Sequence, residues 1–267
     1  MNKRILSELI AVSLLAIPIA SGAITITSSS FTYSQNFNSL ANTGTNIAWT
    51  NNSTLAGWYL FISNGNAATA YDTGTGSSTT GSFYSYGSTS STDRALGGLG
   101  SGGAYYGSPS AGNVAGHMVF AMTNNTGGSL ATITFEFDGE QWRNGGNTTA
   151  QPMVLEYGFG ATFATVATWT APGGGFNWTS PVATATGAAV DGNVAGLVAD
   201  KGGTLSNLSW ANGATLWIRW VELNDSGNDH GLAIDNFAVT QVTPVPEPGA
   251  ALLGGLGLLA LLRRRRW

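Results

Sequence analysis

Cysteine is absent from all 267 residues, so disulfide staples, thiol catalysis and Cys-ligated zinc are excluded at the outset. Charge is also scarce, with Asp, Glu, Lys and Arg making up 9% of the chain. Six of the ten basic residues lie at the two ends: Lys3, Arg4, Arg263, Arg264, Arg265 and Arg266. Residues 24–243 contain only Arg94, Arg143, Lys201 and Arg219 against twelve acids, a net charge of −8. A body this acidic offers no footprint for a phosphate backbone, which argues against nucleic acid as a partner. Histidine occurs twice, as His117 and His230, and no Ser nucleophile sits in a G-x-S-x-G context beside them. His117 reads as a packed strand residue. Gly98, Gly100 and Gly103 satisfy G-x-G-x-x-G, but no strand–helix unit surrounds them, and a dinucleotide site is rejected. No amphipathic helical pattern of useful length runs through residues 24–243.

What is present is apolar and aromatic. Hydrophobic residues make up 43% of the chain, including nine Trp, eight Tyr and eleven Phe. That composition excludes a disordered body. Short β-rich runs alternate with Gly, Asn and Ser clusters, the pattern of a sandwich or barrel. In residues 132–137 (TITFEF), Ile133, Phe135 and Phe137 fall on one side and Thr132, Thr134 and Glu136 on the other, as in a half-buried strand. Residues 152–157, 215–223 and 232–242 read as further strands. Turn chemistry falls at 124–128, 144–146, 173–175 and 211–213. Residues 72–107, rich in Gly, Ser and Thr, read as the loosest part of the body, with partial order. One all-β domain over 24–243 is expected.

The termini carry different information. Lys3 and Arg4 precede a largely apolar stretch over residues 5–20, followed by Ser21-Gly22-Ala23. This is the layout of a secretory signal peptide, cleaved after Ala23, with residues 1–23 as a signal helix. At the other end Val245-Pro246-Glu247-Pro248 forms a stiff connector. Residues 249–262 then carry neither charge nor hydroxyl. As a helix these 14 residues would span about 21 Å, short of the ~30 Å hydrocarbon core. Arg263 to Arg266 would act as a cytoplasmic stop. Physics alone gives a membrane anchor over 244–267.

The order Val245-Pro246-Glu247-Pro248, apolar helix, arginine cluster also resembles the PEP-CTERM sorting signal, known too as the ice-binding-protein C-terminal domain. The resemblance implies recognition by an exosortase, a membrane transpeptidase that cuts near the Pro-Glu-Pro segment. It reports destination rather than activity, and it does not imply ice binding. The expected path runs through the general secretory route and transient anchoring in the inner membrane. It ends at the cell surface or in the extracellular or biofilm matrix of a Gram-negative-type bacterium.

Stretches of the body are similar to a group of secreted bacterial jelly-roll modules: residues 35–40 (QNFNSL), 54–59 (TLAGWY), 93–97 (DRALG), 139–143 (GEQWR), 216–220 (LWIRW) and 229–237 (DHGLAIDNF). Concanavalin-like and MAM-type sandwiches end in a comparable Ile-Asp-Asp strand, and here the second Asp is Asn236. The resemblance implies an antiparallel β-sandwich of jelly-roll type and brings no established enzymatic activity.

Three candidate chemistries remain. Glu136, Asp138 and Glu140 match E-x-D-x-E, the catalytic strand of laminarinase-type glycoside hydrolases, in which the first Glu is nucleophile and the last acid/base. A retaining pair needs carboxyls about 5–5.5 Å apart, whereas positions i and i+4 of a straight strand are about 13 Å apart. Gly139 is expected to break the strand, and the alternative is a solvated strand face with Glu140 paired to Arg143. Asp225, Asn228 and Asp229, with Asp235 on the next strand, form an oxygen-rich set suited to Ca²⁺ in a calcium-dependent adhesion module. The alternative there is an Asx-rich turn, with Asp235 held by Arg219 or Arg143. Finally, Trp142, Trp217, Trp220, Arg143 and Arg219 form a candidate platform for extracellular polysaccharide, against a reading of the tryptophans as core. The expected role is a non-catalytic structural or glycan-contact one, with no cofactor unless calcium binds.

Overall fold

A computed structural model describes residues 24–246. Their strands, in chain order, are β1 (Ile24–Ile26), β2 (Tyr33–Gln35), β3 (Ile47–Ala48), β4 (Trp58–Ile62), β5 (Ala70–Gly74), β6 (Ser82–Tyr86), β7 (Ala95–Leu99), β8 (Val114–Asn124), β9 (Leu130–Asn144), β10 (Pro152–Phe159), β11 (Trp178–Thr179), β12 (Ala188–Ala189), β13 (Leu197–Leu205), β14 (Thr215–Leu223) and β15 (Gly231–Pro244). They form two sheets in a sandwich-like, all-β arrangement. One sheet runs β1-β8-β14-β10-β11 with β4 also on β8; the other runs β12-β9-β15-β7-β6-β5-β3, with β13 on β9 and β2 on β15. The expected antiparallel order holds for most pairs, but both sheets are mixed. β1 lies parallel to β8 and β5 parallel to β6, because neither joins its neighbour through a hairpin. Among the described residues no helix is long and apolar enough to cross a membrane.

Side-chain alternation explains the layering. Met118, Phe120 and Met122 of β8 and Leu216, Ile218 and Trp220 of β14 point inward and are buried. They meet Ile133, Phe135 and Phe137 of β9 and Phe237 of β15. Aromatic rings dominate this interior: Trp58 stacks on Trp220 at 5.7 Å and meets Phe237 edge-on at 5.4 Å. Each fully buried side chain of this size stabilises the fold by roughly 1.5–3 kcal/mol. A body without disulfides depends on this packing.

Residues 72–107 are more ordered than their composition predicts. Every residue of β6 and β7 is buried, since this part of the sheet is covered on both faces. Gly97 lets β7 approach the backbone of Ala233, where a Cβ would overlap. Arg94, only 2% exposed, ties the region together by donating from Nε to Ser85 Oγ at 2.9 Å and from its guanidinium to the Ser85 carbonyl. Gly139 likewise does not interrupt β9, which continues through it to Asn144. Its missing side chain leaves room for the Trp178 indole. The last strand ends at Pro244, one residue beyond the expected boundary.

Candidate functional site

The outer face of the six-stranded sheet carries an aromatic groove. Tyr59 and Phe61 alternate outward from β4, beside the outward row His117, Val119, Ala121 and Thr123 of β8. Trp217 and Arg219 project the same way from β14. Residues 160–170 then fold back over part of this face, held where Tyr157 and Thr170 exchange backbone hydrogen bonds at 2.8 and 2.9 Å. The segment brings Phe163 onto Phe61, with centroids 4.0 Å apart and planes 7° from parallel. Tyr59 and Trp217 meet at 5.0 Å. A groove of about 360 Å³ remains, with Ala161, Thr162 and Ala164 along one side and Asn51, Thr123 and Thr215 adding polar groups.

Charge beside the groove is internally balanced. Arg219 donates from Nε and from its terminal nitrogen to Glu156 Oε2 at 2.7 and 2.6 Å. Its guanidinium also lies 3.9 Å from the Trp169 ring centroid, a cation–π contact. His117, beneath Phe163, is held neutral: burial, with Arg219 adding to it, pushes its pKa down to about 3. The packed-strand reading of His117 matches this position.

The expected tryptophan platform is not assembled as one surface. Trp220 lies in the interior between the sheets. Trp142 is buried with Tyr84, Tyr86 and Leu99 in a separate cluster on the nine-stranded sheet. Arg143 donates to the Gly76 and Ser77 carbonyls at 3.0 and 3.2 Å. Of the five, only Trp217, itself 5% exposed, lines the groove, with Arg219 beside it on the same face. Tyr59, Phe61, Phe163 and Trp169 were missed in the sequence, although residues 58–62 (WYLFI) are apolar at every position and so mark a strand covered on both faces.

The acids of E-x-D-x-E have separate structural surroundings. Glu136 is exposed, Asp138 half-buried and Glu140 1% exposed. Asp138 Oδ1 accepts the Asp200 N–H at 3.1 Å, and its Oδ2 accepts the Asn236 side-chain amide at 3.0 Å. It therefore clasps both strands that flank β9. Each is irregular at that point, with register shifts between Val198 and Lys201 and between Asp235 and Ala238. Asn236 adopts φ 51°, a left-handed conformation that Asn tolerates well. Glu140 Oε2 accepts the Trp142 indole N–H at 2.7 Å, in place of the expected pairing with Arg143. Burial pushes the Glu140 carboxyl up to about 7, with smaller contributions from Asp93, Asp138 and Asp191. Burial pushes Asp235 up to about 8, with the Glu140 charge next in size. Asp235 Oδ1 is buried without a hydrogen-bond partner, so neither Arg219 nor Arg143 holds it. Glu136 is thus exposed while Glu140 is buried, four residues apart on β9.

The proposed calcium ligands also divide. Asp235 faces the acids of β9, while Asn228 and Asp229 line a separate polar cleft of about 430 Å³ with Arg143, Asn224 and Ser101. Asp229 Oδ1 accepts the Asp225 N–H at 2.6 Å, closing the 225–229 loop from its far end. Burial raises the Asp229 pKa to about 7. Among the described residues, no group of three or more His, Cys, Asp or Glu side chains is arranged to hold a metal ion. A further buried acid, Glu222, escaped the sequence analysis. It points between the sheets, accepts the Gly100 N–H at 2.8 Å, and burial drives its pKa well above the carboxylate range.

Val245, the first residue of the expected sorting motif, lies directly at the edge of the fold. Val245 donates its N–H to the Ser129 carbonyl at 2.8 Å and is 42% exposed. Glu247, Pro248, the apolar segment 249–262, Arg263 to Arg266 and residues 1–23, where a signal helix was expected, lie outside the described residues. In comparison with known proteins, no family model matches the chain and no curated protein matches it in sequence.

Proposed function

We propose that the chain is an exported bacterial surface or matrix protein whose body is a non-catalytic, jelly-roll-type sandwich. On this reading residues 1–23 form a cleaved signal helix and residues 249–262 a hydrophobic helix held transiently in the inner membrane. An exosortase then acts at Val245-Pro246-Glu247-Pro248. The observation that carries the reading is where the body ends. β15, paired along β9 over most of its length, is complete at Pro244, and the motif follows without an intervening linker. A cut within the motif would therefore release a sandwich that retains all its strands. The structural tasks of Asp138 and Glu140 support a non-catalytic body.

The test is cellular. A Pro246→Ala/Glu247→Ala variant should accumulate uncut in the inner membrane, while the unmodified protein reaches the cell surface. Equal distribution of the two would overturn the sorting assignment.

A further inference from the structure

We propose that the end of the sandwich from which the chain leaves for its tail rests on lipid headgroups while the tail is anchored. The inference rests on the anchored state proposed above and adds which surface of the body meets the membrane.

Strand pairing gathers both ends of the body at one place. β15 finishes at Pro244 opposite Leu130, and Val245 then bonds to Ser129 in the turn between β8 and β9. β1 is seated beside the same turn, with Ile26 opposite Asn124 and its carbonyl accepting the Asn125 N–H at 2.8 Å. Residues 206–214 complete this end. Leu208 donates its N–H to the Ala131 carbonyl at 3.0 Å, and Asn212 Oδ1 accepts the Gly127 N–H at 2.8 Å. The opposite end holds residues 224–230 and lies about 45 Å away along β9, at ~3.3 Å per residue.

Covalent reach brings the membrane close to the first of these ends. Only Pro246, Glu247 and Pro248 separate Val245 from the apolar residues 249–262, a reach of at most about 14 Å. The headgroup layer takes up about 5–8 Å of it. What is left is close to one Debye length, about 8 Å at physiological ionic strength. A charge at this end of the body would therefore feel the lipid phosphates.

The composition of this end suits that position. Residues 24–31, 121–132, 205–216 and 240–245 contain no Asp, Glu, Lys, Arg or His, in a body that carries twelve acids against four basic residues. Glu247 of the connector is the one acid that must lie nearby. The exposed groups are hydroxyls and amides, among them Ser28, Ser29, Asn125 and Ser129, which can donate to phosphate and ester oxygens. Glu222, Asp225 and Asp229 fall at the far end. An anionic bilayer repels that end and not this one, so charge and tether orient the body alike. Among the described residues, Val245 is the only large apolar side chain exposed at this end. The surface therefore rests on headgroups without inserting among acyl chains.

The absence of cysteine makes the test direct. Single-cysteine variants of the full chain are labelled with an environment-sensitive fluorophore and reconstituted in nanodiscs of phosphatidylethanolamine and phosphatidylglycerol. Part of the lipid carries a nitroxide quencher on its headgroup. Labels at Asn125→Cys and Ser29→Cys should lose at least half of their emission, and a label at Ser226→Cys, on the far end, less than a tenth. Adding Thr27→Glu and Ser129→Glu should at least halve the quenching at residue 125, with recovery in 1 M salt, where the Debye length is about 3 Å. The proposal is overturned if the disc-bound chain shows no quenching at 125 and 29, which would leave this end free for a protein partner. It is also overturned if Ser226→Cys is quenched as strongly, or if the added acids change nothing. A chain that fails to co-purify with the discs would overturn the anchored state as well, so the two failures are told apart.

Discussion

The Asn236 side-chain amide donates to Asp138 Oδ2 at 3.0 Å, across two neighbouring strands and at the residue where β15 departs from regular pairing. With the Asp200 N–H on the other oxygen, Asp138 fixes two irregularities at once. Removing its carboxylate frees both donors, which are exposed and find water instead. Asp138→Ala should destabilise the protein by about 0.5–1.5 kcal/mol, measured by urea unfolding. A catalytic Asp would behave differently, since its loss would leave stability nearly unchanged.

Gly139 gives a sharper version of the same argument. A Cβ at this position would overlap the Trp178 indole, and the strand cannot yield without disturbing its pairing with β13 and β15. Gly139→Ala should cost about 1–3 kcal/mol through overpacking. Pairing it with Trp178→Ala should recover part of the loss, as read from a double-mutant cycle.

The contact between Arg219 and Trp169 should govern the segment that covers the groove. Trp169→Ala removes a 3.9 Å cation–π contact and the packing of Trp169 on Phe163. The expected loss is about 1–2 kcal/mol, with faster hydrogen exchange over residues 160–170 than elsewhere in the sheet. Uniform protection across the variant would contradict the bracing role.

Stability should fall with rising pH. Glu140 and Asp235 have folded-state pKa values of about 7 and 8 against ordinary values of 4.5 and 3.8. Their protons favour the folded state. The contribution is complete below about pH 4, declines as pH rises, and is gone once pH exceeds about 8. Asp235→Asn retains the shape and cannot ionise. Urea midpoints should show the variant gaining on the unmodified protein between pH 5 and pH 8, with little difference at pH 4. Parallel midpoints across that range would contradict the assignment.

β9 was legible because one of its faces is partly exposed, which gives the alternating run at 132–137. Residues 215–223 were legible as a β-rich run, and β14 occupies that span although both of its faces are largely covered. β6 and β7 were missed because both of their faces are covered, so SFYSY and ALGGL show no alternation to read. The groove was only half legible for a related reason. Trp217 and Arg219 lie on a recognised strand, but Phe163 and Trp169 arrive on a connecting segment whose path depends on tertiary contacts. The acidic motif could be found by spacing, yet its burial could not. Glu140 is covered because Gly192 and Gly196 bring residues 190–196 against Trp142 and Gln141, a long-range approach that spacing along β9 does not encode.

The central claim is that this chain is a sorted surface protein, and the most direct measurement is the intact mass of the protein recovered from the cell surface of its native host. A species that lacks residues 1–23 and everything beyond the Pro-Glu-Pro segment is the predicted result. A surface species that still ends in Trp267 would contradict sorting and leave residues 249–262 as a retained anchor.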